Sequence, residues 1–121
     1  MENKMKSNVV ERICKLPHDF KTNKDKSIFQ LLKESGYFEQ RNFIRKGEII
    51  EYLDNCPELL NDWELYSLDK RTGSGWYLLD NESNWTVGYC NSGKLERERI
   101  FSSKNEACAV FIINEIEEIA K

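Results

Sequence analysis

The chain is poor in the residues on which catalysis and metal binding most often rest. It holds one histidine, His18, in a polar stretch far from any persuasive nucleophile. A Ser/His/Asp or Cys/His set therefore has little to stand on. The four cysteines, Cys14, Cys56, Cys90 and Cys108, are widely separated and form no CxxC pair. That spacing points to no zinc site, and the expectation is four reduced thiols in or near a core, with no metal and no cofactor. The glycines are few, and Gly73 and Gly75 belong to neither a GxGxxG nor a GKS/GKT motif, so they read as a turn and not as a phosphate cradle.

Long apolar runs are missing too. The longest, Ala107 to Ile113, falls far short of the roughly 20 residues a membrane span needs. The start, Met1 to Ser7, is polar, and Val9 and Val10 are followed at once by Glu11 and Arg12. No export signal is expected, and the cytoplasm is the expected location. A surplus of positive charge is missing as well: the net charge is −3 and the isoelectric point near 5.3. The field that non-specific nucleic-acid binding requires is absent, so neither nucleic acid nor membrane is an expected partner.

What is present reads as a single α+β domain over residues 1–121, with residues 1–26 as an N-terminal extension, part of it flexible. Val9, Ile13 and Leu16 suit a short helix over residues 8–16, closed by Pro17, with a strand as the alternative. His18 to Lys26 is polar and reads as a loop. Ser27 with Gln30 forms a capping box for a helix ending at Gly36. Tyr37, Phe38, Phe43 and Ile44 are expected to fold down over the core. Ile49, Ile50 and Leu53 predict a helix over 46–55, and Leu59, Trp63 and Tyr66 predict another from Pro57 to about Asp69. Lys70 and Arg71 suit its C-terminus.

At Thr72 to Gly75 the period changes from 3.6 to 2, and three strands are expected: Trp76 to Asp80, Trp85 to Cys90, and Leu95 to Phe101. In the last, Glu96, Glu98 and Ile100 alternate with Arg97 and Arg99, a pattern that protects an edge strand from other edges. Ser103 with Glu106 caps a final helix whose stripe of Ala109, Ile112, Ile113, Ile116 and Ile119 packs on the antiparallel meander.

For a pair of catalytic carboxylates the candidates are Asp54, Asp62, Asp69, Asp80 and Glu82, none in a context distinct from a solvated face. The aromatic group of Trp63, Tyr66, Trp76, Tyr77, Trp85 and Tyr89 is the most informative feature, because aromatics anchor both cores and interfaces. Unless the N-terminal helices cover the second face as well, either Trp76 with Leu78 or Tyr77 with Leu79 must face away from the core. That outer face, with the turn at Asp80, Asn81 and Glu82, is the candidate partner surface.

The stretch Trp63-Glu-Leu-Tyr-Ser-Leu-Asp-Lys-Arg-Thr-Gly-Ser-Gly-Trp-Tyr-Leu78, with Trp85-Thr-Val-Gly-Tyr89 and Glu106-Ala-Cys108, resembles small immunity proteins of bacterial polymorphic toxin systems, including contact-dependent growth inhibition. The likeness spans residues 46–121. It implies a cytoplasmic antidote that binds a cognate toxin domain, often a nuclease, and blocks its active site or an essential surface. Trp63, Asp69, Arg71, Trp76 and Trp85 are then scaffold positions. For a basic target, Asp54, Glu58, Asp62, Glu64, Tyr77, Asp80 and Glu82 are the expected contact residues, with Glu115, Glu117 and Glu118 as alternatives. A small regulatory or adaptor domain, or a small enzyme, are the other readings.

Overall fold

The computed structural model describes residues 2–23, 25–70 and 75–120. Helices α1 (Glu2–Cys14), α2 (Leu16–Thr22), α3 (Ile28–Glu34), α4 (Tyr37–Gln40), α5 (Lys46–Asn55) and α6 (Glu58–Lys70) precede strands β1 (Gly75–Asp80), β2 (Trp85–Asn91) and β3 (Lys94–Phe101). Helix α7 (Lys104–Ala120) closes the chain. The strands form one antiparallel sheet in the order β1-β2-β3, and α7 packs against it, giving the expected α+β fold.

Residues 18–22, expected in a loop, are instead helical. Pro17 has no N–H to donate back into α1, so that helix stops. The same proline suits the first turn of a new helix, and α2 starts there. Val9, Val10, Ile13, Cys14 and Leu16 are all buried, so the segment expected to be partly flexible contributes to the same core as α5, α6 and α7. Ser27 caps α3 by accepting from Gln30 N–H at 3.1 Å, and Gly36, at φ 89°, ends it in the left-handed region. Phe43 does not fold down as expected: it is 59 % exposed, the short 3-10 turn Arg41–Phe43 having aimed it outward.

The core lies between one sheet face and the helices. Leu78, Val87 and Phe101 meet the Ala107 to Ile112 half of α7 there, with Trp76 and Trp85 packed against them. Tyr77 and Leu79 take the outer face of β1, with Thr86, Gly88 and Cys90 beside them on β2. The expected alternation in β3 fails at one point. Val87 pairs with Arg99 but Tyr89 pairs with Glu96, so β3 carries an extra residue there, and Arg97 adopts φ 57°. A bulge of one residue reverses the parity of everything beyond it. Leu95 and Ile100, expected on opposite faces, therefore share the outer one. None of the four cysteines is bridged. Burial pushes the Cys14 thiol up to about 12, with Cys56 adding to the shift.

The outer edge of β1 is closed by α6 without a further strand. Ser67 Oγ accepts from Leu78 N–H at 2.7 Å and donates to Leu78 O at 3.2 Å, both buried. Ser67→Ala leaves an edge N–H and C=O unsatisfied in a dry setting and should cost about 1–3 kcal/mol. Urea unfolding checks it: the midpoint should fall with the slope unchanged.

Candidate functional site

One end of the sheet gathers most of the expected contact residues. The pairing row Asp80, Trp85, Phe101 marks that end, and both the β1–β2 turn and the start of α7 leave from it. The turn is self-supporting: Asp80 Oδ1 accepts from Glu82 N–H at 2.8 Å and Asn81 N–H donates to Asn84 O at 2.9 Å. Asn81 Nδ2 also reaches Thr86 Oγ1 at 2.7 Å. Asp80 and Glu82 are thereby held exposed on a rigid projection, Glu82 at φ 77°.

The first turn of α7 draws the helical carboxylates to the same end. Asn105 Nδ2 donates to Asp54 Oδ1, and Lys104 pairs with Glu64. Lys46 crosses from α5 to Glu106 at 3.1 Å. Glu58 stands exposed in the first turn of α6, where the helix dipole favours an acid, and Asp62 follows one turn later, half-buried. Among the described residues, Glu64 has a counter-charge within ion-pair distance, whereas Asp54, Glu58, Asp62, Asp80 and Glu82 have none. The result is a negative end on rigid elements.

Tyr77 differs from the other expected contacts. It is on the outer face, but at 3 % exposure it offers no surface. Its ring lies across Gly88, where an added Cβ would sit 2.7 Å from Tyr77 Cζ, and its hydroxyl donates to Glu98 Oε2 at 2.9 Å. Glu115 is likewise unsuited to contact: it is buried and accepts from Tyr66 Oη at 2.6 Å. Glu117 accepts from Tyr37 Oη at 2.6 Å and pairs with Arg41 at 2.7 Å. Burial raises the Glu117 carboxyl, but its bonds to Arg41 and Tyr37 outweigh that and hold it below its ordinary value. Of the scaffold positions, Trp63 is fully buried and Trp76 and Trp85 are half-buried against the core. Arg71 and the side chain of Asp69 lie outside the described residues.

Away from that end, one cleft is built largely from locally paired charges. A cleft of about 490 Å³ between α1 and the α3–α4 corner is lined by Glu11, Arg12, Lys33, Glu34 and Glu39 among others. Glu11 pairs with Lys15 at 3.0 Å, Glu34 with Lys26 at 2.7 Å, and Arg12 donates to Glu34 O at 2.6 Å. His18 is exposed on α2. Among the described residues no group of three or more His, Cys, Asp or Glu stands where it could hold a metal, and no helix is long and apolar enough to cross a membrane.

No family model, curated protein or solved structure matches the chain.

Sequence reasoning missed the residues that organise the acidic end. Lys104 and Asn105 read as ordinary helix starts, and their partners Glu64 and Asp54 lie 40 and 51 positions away in the chain. No local pattern announces such pairs.

Proposed function

We propose that this chain is an immunity protein: a cytoplasmic antidote that binds a cognate toxin domain of a bacterial polymorphic toxin system through the acidic end of its sheet. What supports the reading is the set of carboxylates there, Asp54, Asp80 and Glu82, joined by Glu58 and Asp62 along α6, with no cation within ion-pair distance among the described residues, on elements braced by bonds within the chain. A nuclease binds phosphates with a basic surface, so fixed carboxylates can take the phosphates' place. They steer encounter over about a Debye length, and the rigid turn and helices keep the ordering cost of binding small.

Co-expression with the toxin domain encoded beside it, followed by a growth assay, tests the reading. The chain should restore growth, and purified components should associate fast at low salt. Glu58→Lys with Glu82→Lys changes two exposed side chains that make no structural contact of their own among the described residues, and should slow association by about 10–100-fold at low ionic strength. The difference should shrink in high salt. Growth that stays arrested, or an association rate indifferent to both salt and the reversal, rejects the proposal.

A further inference from the structure

The sheet has one closed edge and one open one. Ser67 of α6 occupies the β1 side, while β3 presents its free N–H and C=O groups outward along eight residues. Such an edge invites pairing. Among the described residues none of Glu96, Arg97, Glu98 and Arg99 is in an ion pair, although Glu98 accepts from Tyr77 and Arg97 and Arg99 lie over the rings of Tyr89 and Phe101. Two of its apolar side chains are also exposed, Leu95 by 50 % and Ile100 by 69 %.

We propose that β3 pairs antiparallel with β3 of a second copy across a two-fold axis, setting Leu95 against Ile100 and Glu96 against Arg99 of the partner. The strand Lys94-Leu-Glu-Arg-Glu-Arg-Ile-Phe101, run against its own reverse, matches Glu96 with Arg99 and the exposed leucine with the exposed isoleucine, leaving Arg97 and Glu98 at the axis. Directly opposite residues in an antiparallel pair must share a face. In a regular strand positions 95 and 100 would not. The bulge at Arg97 removes the conflict: Leu95 stands beside Cys90 and Ile100 beside Thr86, both on the outer face, while Glu96 and Arg99 share the inner one beside Tyr89 and Val87.

Neighbouring registers fail on charge. A slip one way brings Glu96 against Glu98, and a slip the other way brings Arg97 against Arg99. Like charges directly opposite are destabilising, so of these three registers the alternation leaves one open, and it is a self-complementary one. The bulge disturbs backbone pairing at the axis. The interface is therefore held on either side of the axis, by main-chain bonds and the two Glu96–Arg99 ion pairs, while Arg97 and Glu98 at the axis keep to Tyr89 and Tyr77 of their own chain. This pairing does not depend on the toxin-binding reading.

Analytical ultracentrifugation of the full chain at low ionic strength tests it. The expected result is a concentration-dependent dimer that weakens with added salt. Glu96→Arg places arginine against Arg99 twice in the dimer, and Arg99→Glu places glutamate against Glu96 twice. Each should weaken association by about tenfold or more. Mixed in equal amounts the two variants carry opposite charges at both positions, and a heterodimer of near wild-type affinity should form. Ile100→Lys, on the exposed outer face, is a further variant that weakens the dimer without touching the charged row. A wild-type chain that stays monomeric up to its solubility limit overturns the proposal. So do charge reversals that dimerise as tightly as wild type, or a mixture that associates no better than either variant alone.

Discussion

Trp63→Ala should remove about 3–5 kcal/mol of stability, the largest loss expected from any single change in this chain. Trp63 has no solvent exposure and stands where α6 meets both the α1–α2 junction and α7. Its ring meets Tyr66 edge-on at 5.4 Å and Phe111 at 5.9 Å, so truncation opens a cavity lined by two aromatics that have few ways to collapse into it. Its indole N–H donates to Cys14 O at 2.9 Å, a carbonyl in the last turn of α1, where the helix's own donors run out. Alanine loses both the packing and the cap. Set against the 5–15 kcal/mol that a domain of this kind typically has in hand, the loss leaves a substantial unfolded population near physiological temperature. Thermal and urea unfolding read it directly. Trp63→Phe keeps much of the volume and forfeits the hydrogen bond, so it should fall between alanine and wild type. An alanine variant within 1 kcal/mol of wild type, on the scale of an ordinary surface substitution, would show that this junction is not where the helical layer is anchored.

The elements legible in the sequence are those whose signal is local. The helix over 46–55 follows from the spacing of Ile49, Ile50 and Leu53, the start of α7 from Ser103 accepting from Glu106 N–H at 3.3 Å, and the meander from the turn residues at 81–84 and 91–93. Where one residue suits two local structures, the reading divides. Pro17 serves equally to end one helix and to begin another, and only burial of Leu16 and Pro17 against the core decides for α2. The parity of β3 was hidden for a related reason. A bulge is set by pairing with β2, and nothing in Glu96-Arg-Glu-Arg99 marks which residue is the extra one. The acidic end was legible as composition and not as geometry. Asp54, Glu58, Asp62, Glu64, Asp80 and Glu82 were identifiable as candidate contact acids, but the gathering of Asp54, Glu64, Asp80 and Glu82 at one end depends on Lys104, Asn105 and the row Asp80, Trp85, Phe101. The alternation of β1 left open whether Trp76 or Tyr77 faces outward, and whether an outward aromatic is free depends on its neighbour: Gly88 allows Tyr77 to lie flat.

Raising the pH should unfold the chain through its tyrosines. Burial, followed by neighbouring acids and thiols, pushes the phenol of Tyr52 up to about 12 and that of Tyr77 up to about 12. Tyr66 and Tyr37 are shifted in the same direction, first by burial and then by Glu115 and Glu117 respectively. A phenol whose pKa in the fold exceeds its ordinary 10 holds its proton more tightly folded than unfolded. Its contribution is fully present below pH 10 and is lost as pH rises through the folded value. Four such groups act together, and each adds a slope of up to about 1.4 kcal/mol per pH unit between the two values. The urea midpoint should therefore begin to fall near pH 9, where the thiols of Cys14 and Cys108 ionise in the unfolded chain, and fall more steeply between 10 and 12. Tyrosinate absorbance should rise together with loss of far-ultraviolet circular dichroism, because these phenols ionise by way of the unfolded state. Tyr77→Phe separates the proton linkage from the packing. At neutral pH it forfeits the bond to Glu98, at a cost of about 1 kcal/mol, while the alkaline slope becomes shallower by one proton. Tyrosinate that forms at ordinary pH with the helices intact would mean that the four hydroxyls are open to water, and that the bonds from Tyr37, Tyr66 and Tyr77 to Glu117, Glu115 and Glu98 do not hold in solution.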